Sequence, residues 1–378
     1  MKVCAVVHAA HSEVTQTARV GLQDGRMLEC ASLRGEKVQY RHVVVRRTGG
    51  PEVLEVVDDE LPEPGPRQAR VKILAADVSF SDVNVRRGRY PGAPRPPFTP
   101  GYAMFGVVER LGAGASGMSV GQHVAALSFF GSYSEFICLP VEELVPMPTG
   151  LDPAEAVTLV LNYVAAYQML HRVARVQRGQ QILVHGAGGG VGTALVQLGR
   201  LAGAEVYGTA SSGKKELLRR LGATPIDYRK DDFVERVMSA TGGIGVDAAF
   251  DPLGARHLRR SVRAVRKGGA VVAFGYYEAA NRGHSAVRDV LSQYLWLAWW
   301  SLPPRRKHAV FYDIRPQKKK HPERFRRDLM ALSELLAKGE IHPVIAARFP
   351  LDDVVTAHRQ VENAEVLGKV VLLPSAER

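Results

Sequence analysis

The stretch "ILVHGAGGGVGTALVQLGRLAG" (182–203) sets Ala187, Gly189 and Gly192 at the spacing of a GxGxxG-type turn, with alanine in the first position. Gly190 and Val191 complete the turn. A glycine at the second position lets the backbone approach a pyrophosphate, and one at the third lets helix and sheet pack closely. The phosphates of a dinucleotide then rest on the positive N-terminus of the helix. The following strand-like run, "VYGTASSGKK", bears on which dinucleotide binds. An NAD site carries Asp or Glu at the end of that strand for the ribose hydroxyls. Ala210 stands there instead, followed by Ser211, Ser212 and Lys214, two hydroxyls and a cation suited to a 2′-phosphate. The expected cofactor is NADPH.

Other chemistries lack their residues. The sequence has no HExxH, no GxSxG and no GxxxxGK[ST], and no tyrosine is followed by lysine four residues on. Cys4, His8 and His11 would share a helical face, but the β-branched run around them argues against a helix, so no metal site is expected there. Three cysteines are too few for a disulfide framework or a Cys-rich zinc lobe, which fits a reducing compartment. The net charge of +12 is accompanied by no nucleic-acid motif and reads as a solvated, arginine-rich surface. The most apolar run, "VLSQYLWLAWWSL" at 290–302, is shorter than the roughly 18 residues a membrane span needs. With no signal-like N-terminus, a cytoplasmic protein without integral membrane association is expected.

At roughly 150 residues per domain, 378 residues suggest two. Residues 1–40 are poorly committed beyond a strand-like "KVCAVVH". From 41, "HVVVRR", "EVLEVVD", "ARVKILAADVS", "FGVVERLG", "HVAAL" and "YSEFICLP" read as strands broken by Pro- and Gly-rich turns. "DPAEAVTLVLNYVAAYQMLHRV" reads as a helix with Asp152 as N-cap and Pro153 in its first turn. Strand and helix alternate from 181, which predicts a doubly wound parallel sheet. After 342 short strands return around one amphipathic helix.

The run "TGGPEVLEV", "SFSDVNVRRGRYPG", "NYVAAYQML", "VHGAGGGVG", "GTASSGKKELLRRLGA", "DPLG" and "FPLDDVVTAHRQVENAEVLGKVVL" resembles the medium-chain dehydrogenase/reductase superfamily. Within it, the chain looks like the zinc-independent quinone oxidoreductase and enoyl reductase branches, including vesicle amine transport-like proteins. The resemblance implies an α/β fold: a GroES-like β-rich catalytic domain (41–162 and 311–378) split around a Rossmann NADPH-binding domain (163–310). It also implies that Tyr228 lies near the adenosine 2′-phosphate, that Gly275 and Tyr276 of "AFGYY" border the nicotinamide, and that the protein is a homodimer.

Zinc-dependent members would hold a cysteine at the place of Ser79 and Gly-His-Glu at the place of Gly101, Tyr102 and Ala103. Serine, tyrosine and alanine do not make a zinc site. Enoyl reductases of the superfamily carry a tyrosine in the loop after this helix, and Tyr90 of "GRYPG" matches it. A phenol there can donate a proton or hydrogen bond to the oxyanion formed when an enone or quinone is reduced. Ser79, where relatives usually have asparagine, can still hydrogen-bond a carbonyl or ribose. The expected activity is hydride transfer from NADPH to a quinone or α,β-unsaturated carbonyl. The alternative is an NADPH-binding protein serving a membrane or partner. Residues 284–327 fit the family least. Their tryptophans (Trp296, Trp299, Trp300) are expected in a buried helix at a domain or dimer interface, and the basic run after them reads as a solvated loop or as a surface that attracts an anionic substrate tail or a membrane.

Overall fold

The computed structural model describes residues 38–90, 92–275, 286–302, 307–363 and 366–374. The expectations for Cys4, His8, His11 and Tyr276 lie outside these residues.

Two large sheets carry the structure. The first strands, β1 (Gln39–Val45) and β2 (Leu54–Glu60), form an antiparallel pair. Next come β3 (Gln68–Val78), β4 (Met104–Leu111), β5 (His123–Ala126), β6 (Phe136–Pro140) and β7 (Val145–Pro146). These join β14 (Ile345–Pro350) and β15 (Lys369–Leu373) in a seven-stranded sheet of order β14-β15-β3-β4-β5-β7, with β6 also on β3. Alternation drives this sheet: along β3, Val71 and Ile73 are fully buried while Lys72 between them is exposed.

The second sheet is parallel throughout. It contains β8 (Gln181–Val184), β9 (Glu205–Ala210), β10 (Thr224–Asp227), β11 (Val246–Asp251), β12 (Val265–Ala273) and β13 (His308–Phe311), in the order β10-β9-β8-β11-β12-β13. Its middle strand β8 is a continuous apolar run, Ile182-Leu183-Val184, with no exposure, as a strand covered on both faces must be. Helices Gly190–Leu201, Lys215–Arg220, Phe233–Ala240 and Ala255–Ala264 make the first four crossovers, and Ala286–Ser301 lies in the fifth. The fold is therefore the α/β arrangement of a GroES-like β-rich part and a Rossmann-type parallel sheet.

One helical stretch joins the two parts. It starts at Pro153, with the Asp152 carboxylate accepting from the Glu155 amide at 3.0 Å, and runs to Val173 with π-turns over Leu159–Tyr163 and Gln168–Val173. Its buried residues pack with Phe105 on one side and Ile182 and Ala194 on the other, in one continuous core.

The basic run differs from its expectation as a loop. It holds β13 and two helices, Ile314–Lys320 and Pro322–Ala337. The second buries Phe325, Leu329, Leu332 and Leu336, a period of three to four beneath the surface charge. The tryptophans divide between buried and exposed positions on their helix. Helix Ala286–Ser301 buries Trp300 but leaves Trp296 at 37% and Trp299 at 47% exposure, with the Arg259 guanidinium 4.0 Å over the Trp296 ring. Among the described residues, no helix is long and apolar enough to cross a membrane.

Candidate active site

The glycine turn leaves β8 at His185 and enters helix Gly190–Leu201 with Gly189 as N-cap. A Cβ on Gly192 would fall 2.2 Å from the Gly186 carbonyl oxygen and 2.7 Å from the Ala187 Cα, so helix and turn touch backbone to backbone there. A Cβ on Gly189 would meet only the Gly186 oxygen, at 3.4 Å. The space beside Gly189 is open, which is what a phosphate group needs.

Two side chains from distant segments border that space. A Cβ on Gly190 would lie 3.1 Å from the Asn162 amide nitrogen and 3.2 Å from the Lys369 Cδ. The Asn162 amide nitrogen is buried and has no hydrogen-bond partner among the described residues. Lys369 is buried and ion-paired with Asp77. Burial pulls its ammonium down to about 7, an effect the adjacent carboxylate opposes. Strand β15 is stitched to the turn by the Gly368 amide, which donates to the Gly188 carbonyl at 2.9 Å. A helix N-terminus, an unused buried donor and a lysine together fit a diphosphate. Local pattern does not single out Asn162 or Lys369, because their role depends on contacts between remote parts of the chain.

At the end of β9, Ala210 is buried and Ser211 begins the turn that follows. The Lys214 stem covers Gly188, and its ammonium donates to the Val366 carbonyl at 2.7 Å. Burial lowers the Lys214 pKa, with Arg229 adding to the effect. The Ser212 hydroxyl donates to Asp227 at 2.5 Å, so its proton is committed. Asp227, paired in register with Ala210, is a carboxylate the sequence reading missed. Ser212 first, and then the Arg229 amide and nearby lysines, hold it below the usual carboxylate range against the opposing desolvation. Tyr228 is 53% exposed, with the Arg229 guanidinium 5.8 Å from its ring centroid. Gly275 ends β12 against β11's exit: a Cβ there would meet the Pro252 carbonyl oxygen at 2.4 Å.

Beneath the turn lies a buried polar chain. Thr209 meets His185 Nδ1 at 3.0 Å, His185 Nε2 meets the Ser261 hydroxyl at 3.1 Å, and Ser261 donates to Asp251 at 2.6 Å. His257 Nδ1 reaches the same Asp251 oxygen at 2.8 Å. Burial drives His185 down to about 3, so it is neutral. One consistent set of protons completes every bond in this chain: Thr209 to His185, His185 to Ser261, then Ser261 and His257 to Asp251.

Across from the glycine turn, β3 ends at Ser79, the N-cap of helix Phe80–Arg86. Ser79 accepts from the Asp82 amide at 3.2 Å, and Asp82 accepts from the Ser79 amide at 2.9 Å, a capping box with aspartate in the third position. The Ser79 hydroxyl donates to Asp82 at 2.6 Å, and Tyr133 also hydrogen-bonds Asp82. Burial raises this carboxyl to about 6 against those bonds. Ser79 is thus 5% exposed and occupied with its own helix.

Tyr90, after the helix, is half-buried against Tyr102, and their hydroxyls are 2.5 Å apart. Tyr102 is 1% exposed. The Arg315 guanidinium lies 4.5 Å over the Tyr90 ring and is held by Asp313 at 2.9 Å. The sequence placed Tyr102 only as a missing metal ligand, and did not single out Arg315 at all.

Comparison with known proteins agrees with this fold. The family model for the alcohol dehydrogenase GroES-like domain matches residues 65–149, and the one for zinc-binding dehydrogenases matches 221–372. The chain is 32% identical over 332 residues to the synaptic vesicle membrane protein VAT-1 homolog of Rattus norvegicus, covering 84% of this chain and 79% of that protein. It is 30% identical over 346 residues to the quinone oxidoreductase of the same organism, covering 90% of this chain and 99% of that protein. The crystal structure of Escherichia coli quinone oxidoreductase complexed with NADPH superposes with a TM-score of 0.76 at 27% identity, covering 88% of this chain and all (100%) of that one. The chain belongs to the medium-chain dehydrogenase/reductase superfamily, in its zinc-independent, quinone oxidoreductase-like branch.

Proposed function

We propose that this oxidoreductase uses NADPH to reduce a quinone or an α,β-unsaturated carbonyl, with Tyr90 as the group that serves the developing oxyanion. The observation that carries the reading is the 2.5 Å contact between the Tyr90 and Tyr102 hydroxyls, where zinc-dependent relatives would hold a metal ligand. A phenol in that place can supply hydrogen-bonding or acid chemistry without Lewis-acid help.

Bound NADPH would supply a hydride and the two electrons of the reduction. Gly189, the helix N-terminus behind it, Asn162 and Lys369 would hold its diphosphate. Ser211 and Lys214 would face the 2′-phosphate, with Tyr228 as a flanking ring. Ser79 contributes by fixing the start of its helix, and through it the loop that carries Tyr90. The Tyr90 hydroxyl then meets the substrate oxygen as negative charge gathers there. The proposal includes a homodimer, as expected from the superfamily.

The test is NADPH oxidation measured across a panel of quinones, enones and enoyl thioesters. Turnover of at least one class supports the reading, and tight NADPH binding without turnover of any sinks it. A second reading, an NADPH-binding protein that serves a partner or membrane surface, draws on the likeness to the VAT-1 homolog and on the exposed Leu295, Trp296 and Trp299. The same panel separates the two.

A further inference from the structure

Tyr90 is surrounded by more than a substrate wall. Its oxygen meets Tyr102 at 2.5 Å and is also hydrogen-bonded by Ser81, on the helix that Ser79 caps. The Arg315 guanidinium covers its ring at 4.5 Å. Tyr102 cannot turn away. Its ring packs edge-on to Tyr90 at 6.1 Å and to Phe129 at 5.2 Å, and its carbonyl accepts from the Phe129 amide at 3.0 Å. Phe129 itself sits at a φ of 66°, a left-handed conformation that a phenylalanine adopts only when its surroundings impose it.

We propose that Tyr102 is a positioning residue for Tyr90. Its hydroxyl donates to the Tyr90 oxygen and, with Ser81 and the Arg315 cation, stabilises the negative charge that Tyr90 acquires on giving its proton to the reduced substrate. The inference rests on the reductase reading above. In the step, two electrons enter the conjugated system with the hydride, and charge collects on the substrate oxygen. The Tyr90 O–H bond breaks, its proton passes to the substrate, and its electron pair stays on the Tyr90 oxygen. Solvent later returns the proton.

The order of proton loss within the pair follows from the surroundings. Burial raises both phenols. Tyr102 and Arg315 pull Tyr90 back down, as Ser81 does, while Asp313 opposes them. Tyr90 in turn pushes Tyr102 further up, while Arg315 draws both phenols down and Asp313 opposes it at both. Tyr90 is the less buried phenol and has Ser81 as a second donor, so the negative charge belongs on Tyr90, with Tyr102 as its donor.

The test uses the full chain without cofactor or substrate. A fluorinated tyrosine, more acidic than tyrosine, is placed at position 90 and titrated by 19F NMR. The expected result is a midpoint that rises by about one pH unit in Tyr102→Phe, the worth of one lost hydrogen bond to an anion. Arg315→Gln should raise it as well. An unmoved or lowered midpoint in Tyr102→Phe overturns the proposal. If that variant does not fold, Ser81→Ala and Arg315→Gln serve in its place, and an unmoved midpoint in both overturns it equally. In turnover, Tyr102→Phe should lower kcat for an enone with little change in KM, by less than Tyr90→Phe does. A shifted midpoint in a protein that reduces none of the probes supports the pair and defeats the reductase reading, so the two fail separately.

Discussion

Lys369 on β15 and Asp77 on β3 are ion-paired at the join between neighbouring strands, and both are buried. The lysine stem also borders the glycine turn. Burial draws its ammonium down toward about 7 from the 10.5 of a free lysine, while Asp77 holds it back. An anionic diphosphate beside it favours the charged form, so binding above pH 7 must take up a proton. NADPH affinity should fall as pH rises from 7 toward 9, and calorimetry in buffers of different ionisation enthalpy should register the uptake. The double variant Lys369→Met with Asp77→Asn, which leaves no buried charge unpaired, should bind more weakly and lose that slope. A slope that persists in the double variant assigns the proton elsewhere.

Lys214→Ala should weaken NADPH by roughly 1.5–3 kcal/mol, the range of a charged hydrogen bond, and NADH by much less. Because Lys214 also donates to the Val366 carbonyl, part of any loss common to both cofactors belongs to that loop. Fluorescence titration with the two cofactors separates the shares. Equal affinity of the unaltered protein for NADPH and NADH would remove the 2′-phosphate site.

Tyr90→Phe should lower kcat for an enone or enoyl thioester about 10²-fold or more, with NADPH binding nearly unchanged. A quinone should be less sensitive, since it is already a strong electron acceptor and water can protonate its product. Steady-state kinetics on both substrates checks this. A change in KM alone would make Tyr90 a binding residue.

Asp82 makes stability depend on pH. Its folded pKa of about 6 lies above the ordinary 3.8, so the folded state holds a proton that the unfolded state releases between those values. That stabilisation is fully present below about pH 4 and is lost as pH rises through 6, to an extent of at most about 3 kcal/mol. Asp82→Asn, which imitates the protonated acid, should flatten this part of the denaturation profile between pH 4 and 6. An unchanged profile would mean that Asp82 titrates normally.

Turnover should survive exhaustive chelation. Ser79, Tyr102 and Ala103 offer no thiolate, imidazole or carboxylate at the place of the catalytic metal. Loss of activity with EDTA, restored by zinc, would reverse this.

Much of the fold could be read from local pattern. The turn follows from the glycine spacing, with Gly192 leaving no room for a Cβ and Gly189 opening space beside the helix N-terminus, and the buried β8 announces itself as three aliphatic residues in a row. The cap at Asp152 was visible because it is a matter of four consecutive residues, 152–155. Tertiary contacts were not visible. Tyr102 meets Tyr90 only because β4 begins beside the loop, and Asn162 and Lys369 converge on Gly190 from 28 residues before it and 179 after it. The basic run read as a loop because lysines and arginines masked the spacing of Phe325, Leu329, Leu332 and Leu336. Trp300 packs inward while Trp296 and Trp299 face outward from the same helix, a division that residue type alone does not reveal.

Strand β15 lies between β14 and β3, although some 290 residues separate it from β3 along the chain. This places the two sheets on different schedules during synthesis. The parallel sheet uses one contiguous stretch, 181–311, and can assemble as it leaves the ribosome. The other sheet keeps the edge of β3 at 76–78 bare until residues 370–372 have emerged to pair with it. The nascent protein thus carries an open edge beside the future Ser79 cap for most of its translation, and the glycine turn gains its Gly368 partner at the same late moment.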